Sequence, residues 1–287
     1  MNITEKSNDQ IRTRYSWFEG HNKLSERLWR DIELVSSTDI NILVVGETGT
    51  GKEVVARWMH EKRIATQSIT KEAAPFVSVN CAAIPENLLE SLLFGHERGA
   101  FTSARELQRG KFEIANQGTL FLDEIQHLNL SAQSKLLRVL QHREFERLGA
   151  KQSKETKCQI VAATNVPLEL LVEKKLFRKD LYYRLNICPV YLPALRHRKE
   201  DLPGLIKHYL NKVSTNHRIG KKDISPEAFV TLLEYSWPGN LRELEHCLLS
   251  ACLKSKTIID ENSLPETITG KLETYLREGM WTEAINQ

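Results

Sequence analysis

In Asn41-Ile42-Leu43-Val44-Val45-Gly46-Glu47-Thr48-Gly49-Thr50-Gly51-Lys52-Glu53 a short apolar run of strand character empties into a glycine-rich turn. A helical pattern follows from Val54 to Glu61. Such a turn lines up backbone N–H groups at a helix N-terminus, where they cradle phosphate oxygens. Lys52 adds a point charge for the β- and γ-phosphates of a nucleotide. Gly46, Glu47, Thr48, Gly49, Thr50, Gly51, Lys52 and Glu53 therefore form a candidate phosphate-binding loop. The pattern G-x-x-x-x-G-K-[ST] fails only at its last place, where Glu53 stands instead of a hydroxyl that would ligate Mg²⁺.

Further along, Gly118-Thr119-Leu120-Phe121-Leu122-Asp123-Glu124-Ile125 is a second apolar strand that ends in two adjacent carboxylates. A nucleotide hydrolase needs an acid to hold the Mg²⁺ hydration shell, which suits Asp123. It also needs a group to orient or deprotonate the attacking water, which suits Glu124. Standing alone, the stretch would read as a buried strand with two acids in the following turn. Placed after a phosphate loop, in this order, the catalytic reading prevails.

With 287 residues the chain has room for one large domain or two unequal ones. Lys and Arg number 40 against 37 Asp and Glu, a net charge of +3, so no overall basic signature demands nucleic acid. The polar N-terminus has no signal-peptide core, and no apolar run approaches the ~20 residues that span a bilayer. Five scattered cysteines, with no Cys-x-x-Cys among them, read as reduced thiols of a cytoplasmic protein, not as a disulfide framework or a zinc site.

Leu24, Leu28, Ile32 and Val35 recur at helical spacing over 21–35. Strand-like runs follow at 40–45, 76–79, 118–122 and 158–163, and 133–144 is an amphipathic helix. Strands alternating with helices predict a parallel sheet flanked by helices, with ligands beyond the carboxyl ends of the strands. Pro189 to Leu195 reads as a connector. Helices are then expected over 201–213, 225–235 and 240–253, the second capped by Ser225 with Pro226 in its first turn. The expected organisation is a leader (1–20), an α/β nucleotide-binding body (21–190), a small helical lid (191–265) and a C-terminal tail (266–287).

Four further stretches carry a family resemblance. Glu90 to Ala104, which includes Gly99-Ala100-Phe101-Thr102-Ser103-Ala104, resembles the signature loop of bacterial enhancer-binding proteins. These are the AAA+ ATPases that activate the sigma-54 form of RNA polymerase. The same family's pattern recurs over Phe177–Asn186, Leu192–Leu202 and Trp237–Glu245, so the resemblance covers residues 21–265 in the family's order. It implies an AAA+ P-loop NTPase fold followed by a helical lid, with ATP and Mg²⁺ as cofactors. In that family Glu at position 53 is normal, which implies that Mg²⁺ is held without a loop hydroxyl.

The resemblance also assigns roles. Asn80 matches the switch residue that hydrogen-bonds the catalytic Glu; by itself it would read as a turn former at a strand end. Asn165 matches the sensor that contacts γ-phosphate or water, where an amide acts without adding charge. Arg178 and Arg184 match arginine fingers that reach a neighbouring subunit's nucleotide, although any isolated pair would read as solvated arginines beside Asp180. Arg242 matches the second sensor, which brings the lid onto the phosphates; its plain reading is a helix N-terminal arginine beside Glu243 and Glu245.

Gly99–Ala104 would be the sigma-54 contact. Phe101 there is costly to leave in water, so a contact made in only one state is expected. Ser103 stands where the family carries glycine, and the angles closed to serine imply a stiffer or weaker engagement. A second loop, Arg147-Leu148-Gly149-Ala150, would support the first, with Ala150 replacing a second glycine. The sequence shows no receiver or ligand-sensing domain ahead of residue 21 and no complete helix-turn-helix after the lid. Control by a partner, by expression level or by a missing segment is therefore expected, with promoter DNA reached only indirectly or through a missing segment. The leading expectation is an ATP-hydrolysing ring of six subunits that remodels sigma-54 polymerase. The alternatives are a nucleotide-binding scaffold or co-regulator within a mixed ring beside a related subunit, and an AAA+ remodeller with another client.

Overall fold

Five strands run parallel in the principal sheet of the computed structural model, in the order β2-β3-β4-β1-β5. They are β1 (Ile42–Val45), β2 (Phe76–Asn80), β3 (Thr119–Asp123), β4 (Gln159–Thr164) and β5 (Pro189–Tyr191). The structure describes residues 15, 23–36, 38–67, 69–70, 72–102 and 104–270. The expected leader (except Tyr15), Ser103 and the tail beyond 270 lie outside them. The helices longer than one turn are α1 (Lys23–Ser36), α2 (Lys52–Thr66), α3 (Glu86–Phe94), α4 (Leu130–His142), α5 (Leu168–Glu173), α6 (Lys179–Leu185), α7 (Leu202–His217), α8 (Pro226–Glu234) and α9 (Asn240–Lys254).

The register aligns the carboxyl ends of the strands. Val45 stands opposite Thr164, and Asn80 opposite Asp123. Residues far apart in sequence thus emerge at one edge of the sheet, where the phosphate loop, the carboxylate pair and Asn165 all begin. Parallel strands covered on both faces need apolar residues on both, which is why β4 is buried at all six positions despite showing no alternation. On one face Leu43, Leu120, Leu122, Ile160 and Ala162 join a core with Leu93, Leu136, Leu140 and Leu185 from the helices. Ile42 and Val44 are fully buried on the other, as are Val55 and Met59 of α2. Each such side chain contributes roughly 1.5–3 kcal/mol.

The expected connector at Pro189 is instead a strand. Proline cannot donate to a ladder, so it is tolerated at the first residue of an edge strand. β5 is such a strand, paired with β1 alone. Helix α4 begins at Leu130, earlier than the apolar spacing indicates, because Asn129 Oδ1 accepts from Ala132 N at 2.8 Å and caps it. The expected cap at Ser225 is present, its hydroxyl accepting from Ala228 N at 3.2 Å.

Two units are distinguished. Among described residues the first contains Tyr15, those of 26–47 and those of 51–192, and the second contains 23–25, 48–50 and 193–270. Within the first, two antiparallel strand pairs carry loops at their tips. Gly95–His96 pairs with Gln108–Arg109 around the Gly99–Ala104 loop, and Glu144–Phe145 pairs with Lys154–Glu155 around the 147–150 loop. In the second unit, Asp223–Ile224 and Ile258–Ile259 pair beside α7, α8 and α9.

Candidate functional site

Gly46 N donates to Thr164 O at 3.1 Å, carrying the β1–β4 ladder one residue past the strand. The chain then turns through Gly49 (φ 81°) and Gly51 (φ 100°), left-handed angles that glycine adopts without steric cost. Gly51 caps α2 without a side chain, so the first-turn N–H groups and the positive end of the helix belong to the loop. Lys52 is buried, and its Nζ donates to the carbonyls of Gly46 (2.7 Å) and Glu47 (3.0 Å). Glu53 faces the next turn of α2 and pairs with Arg57 at 2.7 Å.

At the end of β3 the Asp123 carboxylate accepts from Glu124 N at 3.0 Å. Burial pushes the Asp123 carboxyl above its usual range, against the opposing pull of Lys52. This coupling brings the lysine and the first carboxylate of the two motifs into one field. Glu124 adopts φ 54°, ψ 48°, a left-handed conformation that is costly for a side-chain-bearing residue. Its Oε2 lies 3.6 Å from His127 Nε2. The neighbouring Cys81 thiol is pushed up to about 12 by burial and by the charges of Asp123 and Glu124, so it is a packing group, not a nucleophile. Among the described residues, no group of three or more His, Cys, Asp or Glu could hold a metal unaided.

Asn80 performs the turn-forming role of the plain reading. Its Oδ1 accepts from Ala82 N (2.9 Å) and Ala83 N (3.3 Å). Asn165 follows β4, and its Oδ1 accepts from Gln126 Nε2 at 2.7 Å. Gln126 Oε1 in turn accepts from Thr164 Oγ1 at 2.9 Å. Gln126 was not singled out by the sequence, since a glutamine after an acidic pair carries no pattern of its own.

Arg178 and Arg184 stand at opposite ends of α6. Arg178 makes two hydrogen bonds to Asp180 (3.0 and 2.8 Å) and one to Ser134 Oγ (2.8 Å). Arg184 reaches the Leu140 carbonyl at 3.4 and 3.2 Å, so only Arg178 keeps company with Asp180. The structure does not gather either arginine with the loop and the carboxylate pair.

Arg242 lies in the second unit and lines a cavity of about 430 Å³ with Thr48, Glu243, His246 and Cys247. In the same unit, the segment Thr48–Thr50 is held through its carbonyls. Thr48 O accepts from Asn240 Nδ2 (3.0 Å), Gly49 O from Leu241 N (2.9 Å) and Thr50 O from Arg198 Nη2 (3.3 Å). A Cβ on Gly49 would fall 2.3 Å from Gly239 O, so glycine is required there by space as well as by φ. Asn240 and Arg198 fall within the stretches quoted for the resemblance, but their hold on the loop was not legible in them.

The Gly99–Ala104 loop is tied within itself by Gly99 N to Ala104 O (2.8 Å) and Ala104 N to Phe101 O (2.9 Å). Ala100 N bonds Glu97 O at 3.1 Å, and Thr102 is exposed. Phe101 is 37% exposed, with its ring edge-on to His96 at 4.9 Å. Support from the second loop is direct. Glu97 N bonds Leu148 O (3.0 Å), and Leu148 N bonds Gly95 O (2.9 Å). Arg147 grips Glu113 at 2.6 and 2.7 Å and Glu97 at 2.8 Å.

The chain is similar to known sequences and structures. The pattern described as sigma-54 interaction domain matches residues 18–191, and that described as AAA+ ATPase lid domain matches 196–278. The chain belongs to the sigma-54 interaction domain family. It is 48% identical over 231 residues to the DNA-binding transcriptional activator HyfR of Escherichia coli (strain K12), covering 80% of this chain and 34% of HyfR. It is 46% identical over 240 residues to the regulatory protein AtoC of the same strain, covering 83% and 51%. The chain thus spans about a third to a half of the length of these relatives. Among solved structures, NtrX from Brucella abortus in complex with ATP superposes with a TM-score of 0.78 at 31% identity, over 91% of this chain and 58% of NtrX. Among the described residues of this sigma-54 interaction domain, no helix is long and apolar enough to cross a membrane.

Proposed function

We propose that the chain is the ATP-hydrolysing core of a transcriptional activator that remodels the sigma-54 RNA polymerase holoenzyme and drives open-complex formation. The carrying observation is that one unit holds both the Lys52–Asp123–Glu124 constellation and the braced, aromatic-tipped loop at Gly99–Ala104. Lys52 and the first-turn N–H groups of α2 receive the triphosphate. Asp123 would hold Mg²⁺, because a cation offsets what burial costs its carboxylate. When bound, the ion neutralises charge on the phosphoryl oxygens. Glu124 accepts the proton of the attacking water, and Asn165 contacts the γ-phosphate. Asn80 acts as the switch on Glu124 and Arg242 as the second sensor.

Arg178 and Arg184 act as fingers across the interface of a ring, in a hexamer of like chains or a mixed ring with a related subunit, in the cytoplasm. Half-exposed Arg178 is held by Asp180 and Ser134 in a way that a passing triphosphate could outcompete. Phe101, edge-on to His96 and still partly exposed, is the contact offered to sigma-54.

The test is Phe101→Ala in the full chain, assayed for ATP turnover and for capture of purified sigma-54 with a transition-state analogue of ATP. Turnover retained with capture lost is the expected result. Capture undiminished by the substitution would remove the loop from the sigma-54 contact.

A further inference from the structure

We propose that a cavity at the amino-terminal end of the principal sheet is a binding site for a small zwitterion, an α-amino acid or a molecule with the same ammonium–carboxylate pair. It is separate from the nucleotide site and does not rest on that reading.

The cavity has a volume of about 760 Å³ and is lined entirely by residues of the first unit. Small-molecule sites are roughly 300–1,000 Å³. Its wall includes Asp39, which precedes β1, and Lys157 and Gln159, which lead into β4. Arg63 comes from the last turn of α2, and Glu144 and Glu155 come from the antiparallel pair that follows α4. The cavity therefore sits at the opposite end of these parallel strands from Asp123 and Glu124, which end and follow β3.

Two buried side chains of this wall each keep one polar atom without a partner. Gln159 is 2% exposed, and its Nε2 donates to Thr38 O (3.1 Å) and Ile40 O (2.9 Å). Turning the amide over would set its oxygen against both carbonyls, so its orientation is fixed, and Oε1 is left without a donor. Arg63 is also 2% exposed. Its Nη1 donates to Asp39 Oδ1 (3.1 Å) and its Nη2 to the carbonyls of Gln117 (3.1 Å) and Gly118 (2.8 Å), while Nε has no acceptor. Buried polar groups are nearly always paired. Here an unpaired acceptor and an unpaired donor belong to one cavity wall.

The charges repeat that division. Glu144 and Glu155 stand directly opposite each other, so their side chains leave the same face of the pair. Among the described residues neither carboxylate has a hydrogen bond or an ion pair, and like charges so placed repel. The Lys157 ammonium is likewise uncommitted. Asp39, by contrast, is already engaged by Arg63 and by Gln67 Nε2 at 2.9 Å. A plain anion would suit Lys157 and Arg63 but meet both glutamates; a plain cation would meet the reverse conflict. A molecule carrying both signs answers both sets, with its ammonium toward Glu144, Glu155 and Gln159 Oε1 and its carboxylate toward Lys157 and Arg63 Nε.

The experiment titrates the full chain with each common L-amino acid, followed by calorimetry and by thermal melting. Putrescine and succinate serve as the amine-only and carboxylate-only probes. At least one amino acid is expected to bind and raise Tm, with neither control doing so at the same concentration. Its shift should add to that of ADP, because the two sites lie at opposite ends of the sheet. Lys157→Met and Glu155→Gln change exposed side chains. Each should weaken binding about tenfold or more, the loss of one charge-assisted hydrogen bond. Without ligand, Glu155→Gln should melt no lower than the parent, because it removes the repulsion from Glu144. A residue serving only the fold would not lose affinity while keeping its melting temperature. No binding by any amino acid, equal binding of putrescine or succinate, competition with ADP, or parental affinity in both variants would each overturn the proposal. Should Lys157→Met melt early, Glu155→Gln decides.

Discussion

Gly149 lies against Ala100 so closely that a Cβ at position 149 would sit 3.0 Å from the Ala100 Cβ. The backbone there has φ 75°, so any other residue adds conformational strain to the clash. Gly149→Val is expected to cost about 1–2 kcal/mol in backbone strain alone and to push the Gly99–Ala104 loop off its support. Sigma-54 capture should fall while ATP turnover holds, as measured on the same preparation. Equal loss of both activities would show that the second loop serves the nucleotide site instead.

Arg147 and Glu113 form an ion pair whose side chains are 8% and 10% exposed. Arg147→Met leaves Glu97 and Glu113 without their common partner, but Lys154 still pairs with Glu113 at 3.1 Å, so the cost should fall below the about 3–5 kcal/mol of a buried charge left wholly unpaired. A pH dependence follows. Burial raises the Glu113 carboxyl, but the hydrogen bonds and charges of Arg147 and Lys154 prevail and hold it below its ordinary value. A folded-state value below the unfolded one means that the unfolded chain takes up the proton first. The stabilisation is therefore complete above the unfolded value of about 4.3 and disappears as pH falls through the lower folded one. Melting temperatures of wild type and Glu113→Gln should differ most near neutrality and converge in acid. Curves that stay parallel down to pH 3 would refute the linkage.

Arg178 separates a surface ion pair from a finger. Exposed pairs such as Arg178–Asp180 contribute about 0–1 kcal/mol, so Arg178→Ala should melt almost with the wild type. Its turnover should nevertheless drop by about 10³-fold or more. Mixing it with Glu124→Gln subunits should restore part of the rate, because each then supplies what the other lacks. No recovery at any ratio would argue against a role in trans.

Glu124→Gln should bind ATP and lose about 10²–10⁴ in rate, the span of general base catalysis. Glu124→Gly is the more informative partner, because glycine relieves the left-handed backbone at φ 54°. It should melt no lower than wild type while also failing to hydrolyse, in a calorimetric scan run beside the ATPase assay. A large fall in melting temperature would mean that the side chain, not the backbone, holds this turn.

Much of this was legible in the sequence because the physics is local. An apolar run must be a strand when a glycine turn and a helix follow within a few residues, and Asp123 with Glu124 closes a second such run. Pro189 misled because its meaning depends on position within a sheet, and edge placement is a property of the assembled strands. Gln126 was invisible for a related reason: its amide meets Thr164 and Asn165 only once the turn after β3 lies beside the end of β4. Glu53 was legible as a missing hydroxyl, but not as a partner of Arg57, since the pairing appears only once α2 is known to begin at Lys52. The bracing of Ala100 by Gly149 needed two strand pairs to fold before their tips could meet.

The place of β1 between β4 and β5 has a consequence for synthesis. The strand that feeds the phosphate loop is made early, yet both its neighbours, Gln159–Thr164 and Pro189–Tyr191, come more than a hundred residues later. Pairing across such separations is slow and leaves apolar edges bare in the interval. A chain cut before its last parallel strand is therefore expected to lack the support on both sides of β1 that holds the phosphate loop.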